Sequence, residues 1–368
     1  LHLSIRRQRQ MCIRDRNYKG QLTKIGNFKF SKLEELNQLD FKPIFLKNIT
    51  LITIFNKTIN SNHMNRRNFS KLTALTSLVG FAPGQLISCT TEPATDLKIS
   101  LAQWSLNKAI RAGKLSPLDF AKKSRSFGID AIEYVSGLYT HHSNVLDSMS
   151  MEELSKELLK RSNDYGIENV LIMIDAQGKL ASSNKKENQS AIENHKKWID
   201  FALSLGCKTL RLNLSGENDL DKWTANSVES LTRLSNYNKN INIVVENHGG
   251  LSSNGKHLAN VMSLVNLDNC GTLPDFGNFC IKGSPKNCNE WYDKYLGVKE
   301  LMPYAHAVSA KSYHFDENGD ETSIDYIQMM DIVKRAGYKG YVGIEYEGNK
   351  LSEDEGIIAT KKLLEKLI

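Results

Sequence analysis

From residue 97 onward, short apolar runs rich in β-branched residues alternate with longer segments whose apolar positions recur every three or four residues. Side chains alternate across a strand and return to one helix face after about one turn, so the short runs read as strands and the longer ones as helices. The strands are "LKISLAQWSL", "IDAIEYVS", "IENVLIMIDA", "CKTLRLNLSG", "INIVVENHGG", "CGTLPDFGNF", "HAVSAKSYHF" and "YVGIEYEG". Helical spacing covers 116–127, 151–165, 188–205, 325–336 and 353–367. Several helices run into the glycine that a left-handed C-cap needs, in "SFGID", "DYGIE", "SLGCK" and "RAGYKG". Ser150 followed by Glu153 reads as a capping box. Eight strand–helix units predict a single α/β domain, a (β/α)8 TIM barrel over residues 97–368. A doubly wound open sheet is the competing architecture, but no GxGxxG follows the first strand.

Upstream the pattern stops. Residues 64–89, "MNRRNFSKLTALTSLVGFAPGQLISC", place Arg66 and Arg67 before an apolar stretch from Leu72 to Phe81. A charged start, a short apolar middle and a small residue before the cut form the grammar of an export signal, too short to span a bilayer. "NRRNFSK" resembles a twin-arginine signal and "LISC" a bacterial lipobox. These resemblances imply an exported lipoprotein of the periplasm or cell envelope, with a lipid anchor at Cys89 and a tether over 90–96. The competing reading is a chance arginine pair before a buried helix. Residues 1–63 then lie ahead of the start at Met64 and are expected not to belong to the natural protein. "FLKNITLITIF" is short and broken by Lys47, which argues against a membrane span.

The formal charge of +7 changes meaning once it is mapped. Residues 1–89 hold 15 Lys and Arg against 4 Asp and Glu, leaving 33 against 37 in the remainder. The globular part is mildly acidic, which argues against nucleic acid as a partner. Of the six cysteines, Cys207, Cys270, Cys280 and Cys288 lie in the barrel with no CxxC, so a zinc–thiolate site is not expected. Export would permit a disulfide, and Cys280 with Cys288 is the nearest pair.

In a barrel of this kind the chemistry sits at the C-terminal strand ends. Here those ends are polar: Gln103, Ser105, Glu133, Asp175, Arg211, Asn213, Glu246, His248, Asp275, Asn278, Lys311, His314, Glu345 and Glu347. Polar groups aimed into a barrel are costly unless paired, ligated or solvated. Strand alternation puts Glu246 with His248, Arg211 with Asn213, and Ser309 with Lys311, each pair on one face. Glu246, Asp275 and Glu345 would converge, and like charges that close need a cation or a retained proton. Oxygen ligands favour a hard divalent ion. Structural ion pairing of Glu246 and Glu345 with Lys311 and Arg211 is the bland alternative, and Glu133 could equally pair with Arg211.

The motifs "VVENHGG", "LPDFGNF" and "VGIEYEG" together resemble the xylose isomerase-like TIM barrel superfamily over roughly 97–367. The resemblance implies a sugar isomerase or epimerase working through a metal-stabilised enediolate on a free or oxidised sugar. It implies Glu246, Asp275 and Glu345 as ligands of Mn, Mg, Co or Zn, with His248 as a further candidate. Ser309 stands where the family's histidine ligand is expected, two residues before Lys311. Glu246, Glu345 and Lys311 are the implied catalytic groups, with Gln103, Glu133, Arg211, Asn213, His248 and Asn278 around a small carbohydrate. A keto-sugar or keto-glycoside lyase or dehydratase on the same scaffold, and a non-catalytic sugar-binding barrel, stay open, as does the oligomeric state.

Overall fold

A computed structural model of the protein describes residues 96–368 other than 141, 142, 144 and 285. The segment expected to be an export signal, Cys89 and nearly all of the expected tether lie outside the described residues. Ten strands follow in chain order: β1 (Leu97–Ala102), β2 (Ala131–Val135), β3 (Glu168–Met173), β4 (Thr209–Leu212) and β5 (Asn242–Glu246). Then come β6 (Cys270–Leu273), β7 (Cys280–Ser284), β8 (Asn287–Trp291), β9 (Val308–Ser312) and β10 (Gly340–Tyr346).

Eight of these pair in parallel in the order β6-β5-β4-β3-β2-β1-β10-β9. The end strands β6 and β9 meet only through isolated bridges, Thr272 with Ala305 and Asp275 with Ser309, which leaves the barrel nearly closed. The expected (β/α)8 architecture is therefore present. Helices at Met151–Asp164, Lys185–Ser204, Tyr326–Arg335 and Glu353–Leu367 lie where the spacing put them. Those at Leu220–Tyr237, Gly255–Val265 and Lys294–Leu301 complete the outer layer.

Local chemistry accounts for the boundaries. The Ser150 hydroxyl accepts from the Glu153 amide at 3.2 Å while Glu153 accepts from the Ser150 amide at 2.9 Å, closing the capping box. Gly166 and Gly206 stop their helices at φ of 62° and 82°, in the left-handed region that other residues avoid. The segment expected as one helix over 116–127 begins instead with a 3-10 turn at Pro117–Asp119, because proline favours a first turn it need not donate to.

One element was not foreseen. β7 and β8 form an antiparallel hairpin between β6 and the Lys294–Leu301 helix, stapled by a disulfide between Cys280 and Cys288. Its strands are mostly exposed and carry few apolar residues, so no hydrophobic period marks them.

Strand alternation divides the sheet into two faces. Leu210, Ile243, Val245 and Ile344 are fully buried and face outward, opposite in period to Arg211, Glu246 and Glu345. Each such aliphatic side chain contributes roughly 1.5–3 kcal/mol on burial. The lumen is different, since its upper layers are charged.

Candidate active site

The β9–β10 register places Lys311 opposite Glu345 and Ser309 opposite Gly343. Lys311 is 1 % exposed, and its Nζ donates to Glu345 Oε1 at 2.6 Å and to Glu347 Oε1 at 3.1 Å. Asp275 Oδ2 lies 3.8 Å from the same nitrogen. Burial alone would strip the proton from Lys311, but the carboxylates of Asp275, Glu345 and Glu347 outweigh it and hold the ammonium charged. Gly277 makes this packing possible, because a Cβ there would stand 2.8 Å from Lys311 Cγ.

Arg211 is the second buried cation. Its Nη1 donates to Asp175 Oδ1 at 2.7 Å, and its Nε lies 2.7 Å from Glu246 Oε2. That second approach is off the N–H direction, so it counts as an ion contact rather than a hydrogen bond. Glu246 Oε1 accepts from Asn278 Nδ2 at 2.7 Å. Burial pushes Glu246 upward from the ordinary carboxylate range, with Arg211 opposing. Asp275 is likewise raised by burial, with Lys311 opposing.

Asp275 is fixed from all sides. Its Oδ1 accepts from the amides of Gly277 and Asn278, each at 2.8 Å, and its Oδ2 from the Ser309 hydroxyl at 2.6 Å. Asn247, which the sequence did not single out, clamps the backbone below. It accepts from the Asp275 amide at 2.7 Å and donates to the carbonyls of Asp275 and Asn278. Its place between Glu246 and His248 was the available signal.

A cavity of about 350 Å³ opens above these groups, lined by Trp104, Asp175, Arg211, Asn213, His248 and Glu345. This volume lies in the range of small-molecule sites. Trp104 donates its indole N–H to Glu347 at 2.6 Å, and the Arg111 guanidinium sits 4.8 Å from its ring centre. Asn213 Nδ2 donates to Asp175 at 2.9 Å, while its buried Oδ1 has no hydrogen-bond partner in the described structure. His248 stands exposed at the mouth, and its imidazole is held below its usual range by the pocket walls and then by the Arg211 and Lys311 charges.

Of the expected residues, Arg211, Asn213, His248 and Glu345 reach the cavity, with Glu246, Asp275, Asn278 and Lys311 directly behind them. Two do not reach it. Gln103 accepts from the Val135 amide at 3.0 Å and donates to the Tyr139 hydroxyl at 2.8 Å, so its amide knits loops. The chain enters a 3-10 turn at Gln103–Leu106, which aims Trp104 at the cavity in its place. Glu133 lies a layer lower, beside Gly343, where a Cβ would collide with both carboxylate oxygens. It accepts from Ser100 at 2.6 Å rather than pairing with Arg211, and burial pushes it up to about 8.

The donor set does not fit the divalent ion implied by the resemblance. Both carboxylate oxygens of Glu246 and of Asp275, and Oε1 of Glu345, already meet a donor or a cation of the chain. Ser309 presents a proton, not a lone pair, toward Asp275. Among the described residues, no group of three or more His, Cys, Asp or Glu side chains is arranged to hold a metal.

Comparison with known proteins agrees with this geometry at the level of fold. A stretch of 76 residues is 36% identical to the C-glycoside deglycosidase alpha subunit of Arthrobacter globiformis, spanning a fifth of each chain. Among solved structures, L-ribulose 3-epimerase superposes with a TM-score of 0.56 at 14% identity, covering 74% of this chain and 94% of the other. The IOLI protein with a bound zinc atom gives 0.54 at 17% identity, covering 73% and 97%. The family described as "Xylose isomerase-like TIM barrel" matches residues 121–367, and the chain belongs to it.

Proposed function

We propose that this barrel removes a proton from the carbon beside a carbonyl of a free or oxidised sugar, the step that leads to isomerisation or epimerisation. The observation that carries the reading is the placement of Glu345 on the cavity wall against the buried Lys311 ammonium. A carboxylate so placed can take the proton, and the charge that develops on the carbonyl oxygen needs a positive group nearby. Lys311 and Arg211 supply it from two sides. Glu246, held by Arg211 and Asn278, is the second carboxylate, suited to return the proton from another direction. The free Oδ1 of Asn213 is an acceptor for a sugar hydroxyl, and Trp104 offers a face on which a sugar ring can stack.

Elimination is the second reading. The same enediolate can expel a group from the next carbon, and His248 lines the mouth through which that group would leave. The local identity with a C-glycoside deglycosidase subunit favours this outcome over plain sugar binding. The Cys280–Cys288 disulfide supports action in an oxidising compartment, consistent with the export signal expected upstream.

One experiment separates these readings. Keto-sugars and keto-glycosides are incubated with the enzyme in D2O and followed by NMR. Deuterium entering beside the carbonyl, absent with Glu345→Gln, supports proton abstraction, and release of the aglycone marks elimination. If no member of such a panel exchanges or cleaves, while the same sugars bind, the barrel is a binding protein.

A further inference from the structure

We propose that Lys311 and Ser309 together take the place of a divalent ion, so that the positive charge at this centre belongs to the chain itself. The inference deepens the functional reading and rests on it only for what the charge does. Whether a metal is present can be read with no substrate at all, so either idea can fail alone.

Three observations converge on it. The Lys311 nitrogen lies 2.6 Å from Glu345 and 3.8 Å from Asp275, the carboxylates that an ion would have to share. An ion bound to both, at the roughly 2.0–2.6 Å usual for metal–oxygen contacts, would press directly on the ammonium. Next, the Ser309 hydroxyl donates to Asp275 Oδ2 and lies 3.3 Å from Glu345 Oε2, filling the gap between them with a proton. A neutral hydroxyl turned this way is the reverse of a ligand. Finally, the lysine is not a loose arm that an ion could push aside. Its stem is seated against Gly277, where even a methyl group would crowd it, and Tyr313 closes the same slot, its hydroxyl 2.6 Å from that Cβ position. Glu246, the remaining carboxylate, is turned to Arg211 and Asn278.

The consequence is a centre whose cation cannot dissociate and whose charge does not depend on metal supply or chelators. The test is metal content, measured by mass spectrometry on the full chain after loading with Mn, Co or Zn and desalting. Wild type, Ser309→His, Ser309→His/Lys311→Met and Asp275→Asn are compared, with circular dichroism to confirm folding. The expected result is no stoichiometric metal in wild type and near-stoichiometric metal in the double variant, where an imidazole is supplied and the ammonium removed. Stoichiometric metal in wild type that disappears in Asp275→Asn overturns the proposal. A folded double variant that takes up none overturns it too, since Lys311 would then not stand in an ion's place. Should the double variant not fold, Ser309→His alone decides: no uptake with Lys311 still in place supports the proposal, and stoichiometric uptake overturns it.

Discussion

Lys311 Nζ and Glu345 Oε1 stand 2.6 Å apart across the β9–β10 ladder, both side chains almost wholly buried. Removing one partner of a buried pair leaves an uncompensated charge, at a cost of about 3–5 kcal/mol. Lys311→Met should therefore lower the urea midpoint markedly, whereas Lys311→Met with Glu345→Gln should recover part of the loss, Asp275 and Glu347 still facing the vacated place. Equal destabilisation of single and double variants would show that the pair contributes little.

Arg211 reaches Glu246 and Asp175 with different nitrogens, a fork that lysine cannot reproduce. Arg211→Lys should keep the fold and lower kcat by a factor on the order of 10² on whichever sugar shows exchange. A change in KM alone, with kcat intact, would move Arg211 from charge stabilisation to substrate anchoring.

Glu133 titrates in the opposite sense to most carboxylates. Burial raises it to about 8, so in the folded state it keeps its proton over a window where the unfolded chain has released one. Stability from this group is full below the ordinary carboxylate range and is lost as pH rises toward about 8. Glu133→Gln should remove that slope, with a gap on the order of a few kcal/mol opening by alkaline pH. Parallel urea midpoints for the two proteins across this range would mean that Glu133 is ionised in the fold.

The Cys280–Cys288 disulfide closes a short loop two residues beyond Asn278, the donor to Glu246. Chain-entropy arguments give a loop of this size about 2.5 kcal/mol. Reductant, or Cys288→Ser, should make Lys282 and Lys286 sites of rapid trypsin cleavage and reduce activity before the barrel melts. Unchanged cleavage would show the hairpin to be held without its sulfurs.

Much of this was readable from the chain. Alternation of apolar runs located all eight barrel strands, and the polar strand ends singled out Arg211, Glu246, Lys311 and Glu345 as candidates for the inner face. What escaped was whatever period does not encode. Gln103 looked like a site residue because it follows an apolar run, yet a 3-10 turn carries its side chain off the barrel axis. Asn247 points away from its neighbours in the strand pattern and acts through backbone groups that no pattern reports. Convergence of the three carboxylates was legible, but not that the chain's own Lys311, Arg211 and Ser309 would answer them.

The gap between β6 and β9 has one more implication. These strands are joined by few backbone bonds, and two of them run from the Ser309 amide to the Pro274 carbonyl and from the Phe276 amide to the Ser309 carbonyl. The ring's weakest joint is thus welded at the residues that carry its chemistry. Local opening draws on elements with few paired backbone groups. A breach here would part Asp275 from Ser309 while the other seven strand pairings stay zipped, so the molecule would fall silent well before it came apart.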